Sequence, residues 1–307
     1  MSEKRDFLSV TSFSPDEVRE VIDLSIAVKK DRKVHNLFEG KSFALIFEKP
    51  SLRTRTTFEI AIHELGGYPI YLAPGDIKLG KRESVPDVAH NLERWTYGIV
   101  ARVFKQSTVE TLAANYRYPV INALSDIEHP CQAVGDYMTI KEYAGDTKVK
   151  LSFIGDGNNV ANSLMLLTAM LGGEFTIACP EGYEPNAQLI VRAMDIARET
   201  GARIRIVRDP KEAVRNADFI YTDVWASMGQ EDEAEIRRRV FAPYQVNAEL
   251  MSYAPEHAKV MHCLPARRGE EITDEVIDGP QSIVFDQAEN RLHSEKGILM
   301  FLYGLKI

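Results

Sequence analysis

Short apolar runs rich in β-branched residues alternate along most of the chain with longer segments of helical period, and no other feature constrains the fold as much. SFALIFE (42–48), YPIYLA (68–73), GIVARVF (98–104) and PVINAL (119–124) fall in the first half. KVKLSFIG (148–155), EFTIAC (174–179), RIRIV (203–207), DFIYTDV (218–224) and KVMHCLP (259–265) fall in the second. TRTTFEIAIHELGG, SVPDVAHNLERW and TVETLAANY, all of helical period, lie between the runs of the first half. Such alternation builds parallel sheets, because parallel neighbours need a crossover long enough to hold a helix. The expected class is α/β, with two domains, each a parallel β-sheet flanked by helices, joined by long interdomain helices. One of these covers HPCQAVGDYMTIKEYAG, and GDTK (145–148) after it marks a boundary. The expected domains are 1–145 and 146–286, with a C-terminal helix in 287–307 packing back on the first.

A chain of 307 residues is long enough for two domains of ordinary size. Its 45 % hydrophobic and 27 % charged residues are a globular composition. The net charge of −8 argues against a nucleic-acid partner, which calls for a basic surface. MSEKRDFLSV at the N-terminus lacks the apolar core of a signal peptide, and no stretch approaches the length of a membrane span. Cys131, Cys179 and Cys263 are too few and too scattered for a disulfide framework. These features read as a soluble cytoplasmic protein with reduced thiols and no membrane partner.

Ligands of open parallel sheets collect beyond the carboxyl ends of strands, and four segments with chemical potential fall there. In KPSLRTRTTFE (49–59), Ser51 can open a helix whose first N–H groups attract an anion, with Arg53 and Arg55 as forked donors. The alternative is an ordinary cap with both arginines in water. In EHPCQAVGD, His129 stands on a backbone fixed by Pro130, and Gln132 offers an acceptor and donors; alone, a His–Pro pair is also a common turn. FIGDGNNVANS opens like a dinucleotide fingerprint at Gly155 and Gly157, but Val160 stands where the third glycine belongs. Asn158 and Asn159 can instead present amides to a small polar ligand. In TDVWASMGQ and MHCLPARRGEE, Asp223 can hold an ammonium group, while Cys263 is either a polarisable group or a packing residue. Cys263 adjoins His262, so their side chains are expected on opposite faces of a strand, and no second ligand pair has metal-site spacing. No metal site is expected.

Together these segments resemble the aspartate and ornithine carbamoyltransferases. SLRTRTTFE, HPCQ, DGNN, DVWASMG and HCLPARRGEE stand in the family's order, and FDQAENRLHSEKGIL matches near the end. DVWASMG and HCLP resemble the ornithine-specific members. The resemblance implies transfer of the carbamoyl group of carbamoyl phosphate to the side-chain amine of L-ornithine, giving L-citrulline and phosphate in arginine metabolism, with no cofactor. It implies that Ser51, Leu52, Arg53 and Thr54 cradle the phosphate, and that Arg102, His129 and Gln132 meet the carbamoyl end. Asn159, Asp223, Ser227 and Met228 then take ornithine, while Cys263, Leu264 and Arg291 complete the site. Arg102, His129, Cys263 and Asp223 become the catalytic residues. The family's homotrimers, or multiples of them, place sites between subunits. The loop PGDIKLGKRES would be lent by a neighbour, bringing Lys78 to the phosphate. The family commonly has threonine in place of Leu52 and glutamine in place of Lys78; leucine or methionine at the former position also occurs in relatives acting on acylated ornithines. Putrescine and acylated ornithine are the alternative acceptors within the family. A dinucleotide-dependent dehydrogenase built on GDGNNV would leave Arg53 and Arg55 without a role, and a catalytically silent relative would have no need to keep Arg102, His129 and Cys263.

Overall fold

The computed structural model describes residues 4–31, 33, 35–226 and 233–306. All nine runs expected as strands are strands. β1 (Ser42–Phe47), β2 (Tyr68–Leu72), β3 (Gly98–Arg102) and β4 (Val120–Leu124) form one sheet in the order β2-β1-β3-β4. β5 (Lys150–Ile154), β6 (Glu174–Ala178), β7 (Arg203–Val207), β8 (Phe219–Thr222) and β9 (Lys259–His262) form a second, in the order β7-β6-β5-β8-β9. Every pairing between these strands is parallel, and helices connect them.

Burial follows from that topology. A parallel strand covered on both faces needs apolar residues throughout, and β3 is buried at all five positions. The edge strand β7, with Arg203 and Arg205 alternating with isoleucines, is exposed at both arginines. In each sheet the order reverses between two central strands, β1 and β3 in the first, β5 and β8 in the second. Phe47 pairs with Arg102, and Ile154 with Thr222, so at each reversal the central strands end level and their following loops start side by side. A reversal of this kind opens a crevice for ligands.

By its contacts the chain divides into one unit running to Met138 and resuming at Glu289, and a second unit, Thr139–Ala288. Both division points fall inside helices, Pro130–Ala144 and Val284–Leu302. Ile46, Ile99, Val109 and Leu112 centre a core in the first unit; Ile154, Ile220, Phe241 and Val260 centre one in the second. Among the described residues no helix is long and apolar enough to cross a membrane.

Candidate active site

In the first unit the chain leaves β1 through Glu48–Ser51 and enters the helix Leu52–Glu64. The Glu48 N–H donates to the Arg102 carbonyl at 2.9 Å, and Glu48 Oε2 accepts from the Phe104 N–H at 2.7 Å. These bonds tie the ends of β1 and β3 together at the reversal. Ser51 is the extended N-cap of the helix, yet its hydroxyl makes no capping bond, and no acidic residue stands in the first turn. The first N–H groups of a helix have no partner within it and carry the positive end of its dipole. This helix start is therefore open to an anion.

Arg102 ends β3, buried, and its Nη1 donates to Thr54 Oγ1 at 3.4 Å. His129 stands just before the helix Pro130–Ala144; its carbonyl accepts from the N–H groups of Gln132 and Ala133 at 3.1 and 3.2 Å. Burial, then the charges of Arg291, Arg102 and Arg53, holds the His129 imidazole well below its ordinary range. At pH 7 it is neutral and keeps one ring N–H to donate. Three guanidiniums around a neutral imidazole attract an anion and can stabilise charge on an oxygen.

Arg291, on Val284–Leu302, is also buried. Its Nη1 donates to Gln132 Oε1 at 2.5 Å and its Nη2 to Glu295 Oε1 at 2.7 Å, while Gln132 Nε2 donates to Asp136 Oδ1 at 2.7 Å. This string fixes the Gln132 amide, with its oxygen toward a cation and its nitrogen toward a carboxylate. Gly135 lets the two helices approach: a Cβ there would lie 3.2 Å from Arg291 Cδ and 3.0 Å from Ser294 Oγ.

The second unit repeats the construction with the opposite charge. Beyond β5, Asn158 caps the helix Asn159–Leu171, its Oδ1 accepting from the N–H groups of Val160 and Ala161. Its Nδ2 donates to Asp223 Oδ2 at 2.8 Å. Asp223, buried just past β8, accepts at Oδ1 from the Val224 N–H at 2.8 Å and from the Cys263 thiol at 3.1 Å. Beside it, Arg237 Nη1 donates to Asp156 Oδ2 at 3.0 Å and to the Trp225 carbonyl at 2.9 Å. Burial pushes the Asp156 carboxyl up to about 6 against the pull of Arg237, and Asp223 and Glu233 add to the rise.

Comparison with known proteins decides what this frame belongs to. Residues 5–142 match the carbamoyl-P binding domain of the aspartate/ornithine carbamoyltransferases, and residues 147–302 match their Asp/Orn binding domain. The chain belongs to the aspartate/ornithine carbamoyltransferase family. It is 52 % identical over 289 residues to an ornithine carbamoyltransferase of Methanothermobacter thermautotrophicus, covering 94 % of this chain and 96 % of that protein. It is 49 % identical to an anabolic ornithine carbamoyltransferase of Pyrococcus furiosus, over 98 % of this chain and 96 % of that one. A solved ornithine carbamoyltransferase from Pyrococcus furiosus superposes with a TM-score of 0.94 at 48 % identity, covering 98 % of both chains. An anabolic enzyme from Campylobacter jejuni gives 0.94 at 38 % identity, covering 98 % of this chain and 99 % of that one.

Of the residues that the family resemblance singled out, Arg102, His129, Gln132 and Arg291 meet through bonds or charge beside Arg53 and Thr54, on the helix that Ser51 and Leu52 open. Asn159 opens the helix that follows β5, and Asp223, Cys263 and Leu264 lie on the loops that follow β8 and β9. Lys78 is exposed, in left-handed backbone (φ 46°) after the short helix Pro74–Ile77. Ser227 and Met228 lie outside the described residues. Three expectations need correction. Arg55 is not a second forked donor at the helix start: its Nε pairs with Glu59 at 2.9 Å and its guanidinium lies 3.6 Å from the Tyr71 ring centre. Asn158 spends its amide on the helix cap and on Asp223, so it orients the Asp223 carboxylate instead of standing open to a ligand. The side chains of His262 and Cys263 do not diverge: ligand atoms of Asp223, His262 and Cys263 lie within 4.8 Å of one another. β9 ends at His262 and Leu264 takes φ 59°, so strand alternation no longer governs Cys263. His262 is engaged at both nitrogens, Nδ1 by the Leu264 N–H at 2.8 Å and Nε2 by Glu271 Oε1 at 3.0 Å.

Asp136, Asp156, Arg237, Glu271 and Glu295 do not stand out in the sequence as site residues. Two of them carried a signal, since Asp136 follows Gln132 and Glu295 follows Arg291 by four residues, which on a helix makes them neighbours. The fingerprint at Gly157 has a plain structural cause. A Cβ there would lie 2.2 Å from the Pro185 nitrogen, so the glycine serves loop packing.

Proposed function

We propose that the chain is an ornithine carbamoyltransferase of arginine biosynthesis, converting carbamoyl phosphate and L-ornithine to L-citrulline and phosphate. One observation carries the reading: a helix start with no side-chain cap at Ser51 stands beside Arg53, Arg102 and a neutral His129. The relatives named for this activity, two of them as anabolic enzymes, support it. In the reaction the amine nitrogen bonds to the carbonyl carbon and loses a proton. Negative charge grows on the carbonyl oxygen, and the bond from carbon to the phosphate oxygen then breaks.

Each part has a candidate residue. Arg53 and the N–H groups after Ser51 take the phosphate. Arg102, His129 and Thr54 face the carbonyl oxygen; because Thr54 Oγ1 accepts from Arg102, its own proton stays available to donate. Donors placed in advance where charge will develop usually make the largest catalytic contribution. Ornithine arrives with ammonium groups, the side-chain one with a pKa of about 10, like lysine. Asp223, oriented by Asn158, Val224 and Cys263, is the carboxylate that pairs with an ammonium.

Carbamoyl phosphate supplied with ornithine, putrescine or N-acetylornithine, with ureido product followed, tests the assignment. Ornithine is the expected acceptor, and faster turnover of either other amine overturns it. A homotrimer, or a multiple of trimers, belongs to the same reading on the strength of the family resemblance, and the cytoplasm on the strength of the N-terminal composition and the scattered cysteines. Sedimentation of a monomer under assay conditions would remove the trimer.

A further inference from the structure

Glu295 has no part in the roles just assigned, yet it lies beside them with no exposed surface, as does Asp136. Its Oε1 accepts from Arg291 Nη2 at 2.7 Å, and its Oε2 is buried without a hydrogen-bond partner. Burying an ion pair is weak support for stability, because desolvation consumes most of the Coulombic gain and an apolar pair of similar volume does as well. The geometry offers a different use. Arg291 has one arm on Gln132 and the other on Glu295, and Asp136 anchors the far side of Gln132. With Glu295 removed, the guanidinium would be held from one side only.

We propose that Glu295 is a positioning residue for carbamoyl transfer: as a carboxylate it holds the Arg291 guanidinium against Gln132, and it relaxes that hold on taking up a proton. This rests on the reading above and on the family resemblance, which puts Gln132 at the carbamoyl end and has Arg291 complete the site. Three helices pack groups against Glu295. Its own supplies Arg291. Leu52–Glu64 supplies Thr57, whose hydroxyl donates to the Arg53 carbonyl at 2.8 Å. Pro130–Ala144 supplies the buried Cys131 thiol, with Asp136 acting on Arg291. Burial pushes Glu295 up to about 7, opposed by Arg291. Its charge therefore changes within the neutral range. Protonation exchanges a charge-assisted bond for a neutral one of roughly half the strength. The new O–H lies near Thr57, on the turn that carries Arg53.

Steady-state kinetics of the full chain and of three variants, Arg291→Ala, Glu295→Ala and Glu295→Gln, test this. Glu295→Ala should lower kcat/KM for carbamoyl phosphate about tenfold while KM for ornithine stays within about twofold. Glu295→Gln keeps an acceptor for Nη2 and should recover most of that loss. It cannot ionise, so the ratio of native to Glu295→Gln rates should climb as pH passes through 7. A ratio that stays flat from pH 6 to 8 overturns the proposal, and so does a Gln variant as impaired as the Ala variant. If Glu295→Ala fails to fold, the pH ratio of the Gln variant still decides. An Arg291→Ala enzyme with ordinary kcat/KM would instead show that the site itself was misassigned, a different failure from a flat ratio.

Discussion

The two sheet edges share one plan and carry opposite charge. Each follows a parallel sheet, each lies where the strand order reverses, and each begins with a polar residue opening a helix, Ser51 in one and Asn158 in the other. At the first edge the cations Arg53, Arg102 and Arg291 surround His129, and the acidic residues Asp136 and Glu295 are buried nearby. At the second the carboxylate of Asp223 is held by Asn158, Val224 and Cys263, and a buried cation, Arg237, balances its neighbour Asp156. The caps differ in the same sense. Asn158 closes its helix start and turns its amide to a carboxylate, whereas Ser51 leaves its own uncapped. Topology creates the crevice; in the proposed function, the charge of the side chains around it would select an anion in one unit and an ammonium in the other.

The largest expected effect comes from breaking the balance of the second edge. Arg237→Leu leaves Asp156 buried without its partner, which typically costs about 3–5 kcal/mol. The loss depends on pH. Asp156 sits near 6 in the folded chain against an ordinary 3.8, so the native state holds this proton more tightly than the unfolded chain does. The group's contribution is present at low pH and lost as pH rises through about 6. Without Arg237 the carboxyl rises further, so the variant's deficit should be larger at pH 8 than at pH 5. Urea unfolding at the two pH values measures it, and equal deficits would mean that Arg237 acts by packing alone.

Next in size is the loss of the cationic edge. Arg53→Ala removes a charge-assisted contact to phosphate and should cost roughly 2–4 kcal/mol in kcat/KM, about thirtyfold to a thousandfold, in a folded protein. Near-normal saturation by carbamoyl phosphate would sink the assignment. The matching change at the other edge is Asp223→Asn, which keeps shape and removes charge. It should lower kcat/KM for ornithine about a hundredfold, or about 2.7 kcal/mol. Stabilisation of the variant against heat by carbamoyl phosphate alone should be unchanged. If that stabilisation falls instead, the division of charge between the two edges is wrong.

Most of the frame could be read from the chain, because parallel strands covered on both faces leave continuous apolar runs, and all nine were visible. Asp223 was visible for the same reason, as a polar residue following such a run, whereas Arg102, at the end of one, was named only through the family resemblance. What escaped were groups whose meaning lies in pairing. Arg237 looks like one of three consecutive arginines on an exposed helix, and only Asp156, 81 residues away, shows why it is buried. Arg55 misled in the opposite direction, since Tyr71 from the adjacent strand claims its guanidinium. His262 and Cys263 misled because the strand ends between them, a boundary that period-2 reasoning does not supply.

The smallest effect expected is a gain, and it sharpens the contrast between the two helix starts. Leu52 is the first residue of the helix that Ser51 leaves uncapped, and it is 77 % exposed. Replacing it removes no core contact, so Leu52→Thr should cost only a few tenths of a kcal/mol in helix propensity. The hydroxyl gained stands at the positive end of the dipole, where in the proposed site it would donate to a phosphate oxygen that Leu52 would meet only through its backbone N–H. One such bond contributes on the order of 1 kcal/mol, so half-saturation should fall to about one fifth of the native carbamoyl phosphate concentration. Lys78 is the competing explanation. If that lysine, brought by a neighbouring subunit, already compensates for the missing hydroxyl, the gain should appear only when Lys78→Gln is combined with Leu52→Thr. A Leu52→Thr enzyme that binds carbamoyl phosphate more weakly in both backgrounds would show that this edge is shaped around leucine, and would reopen the choice of acceptor.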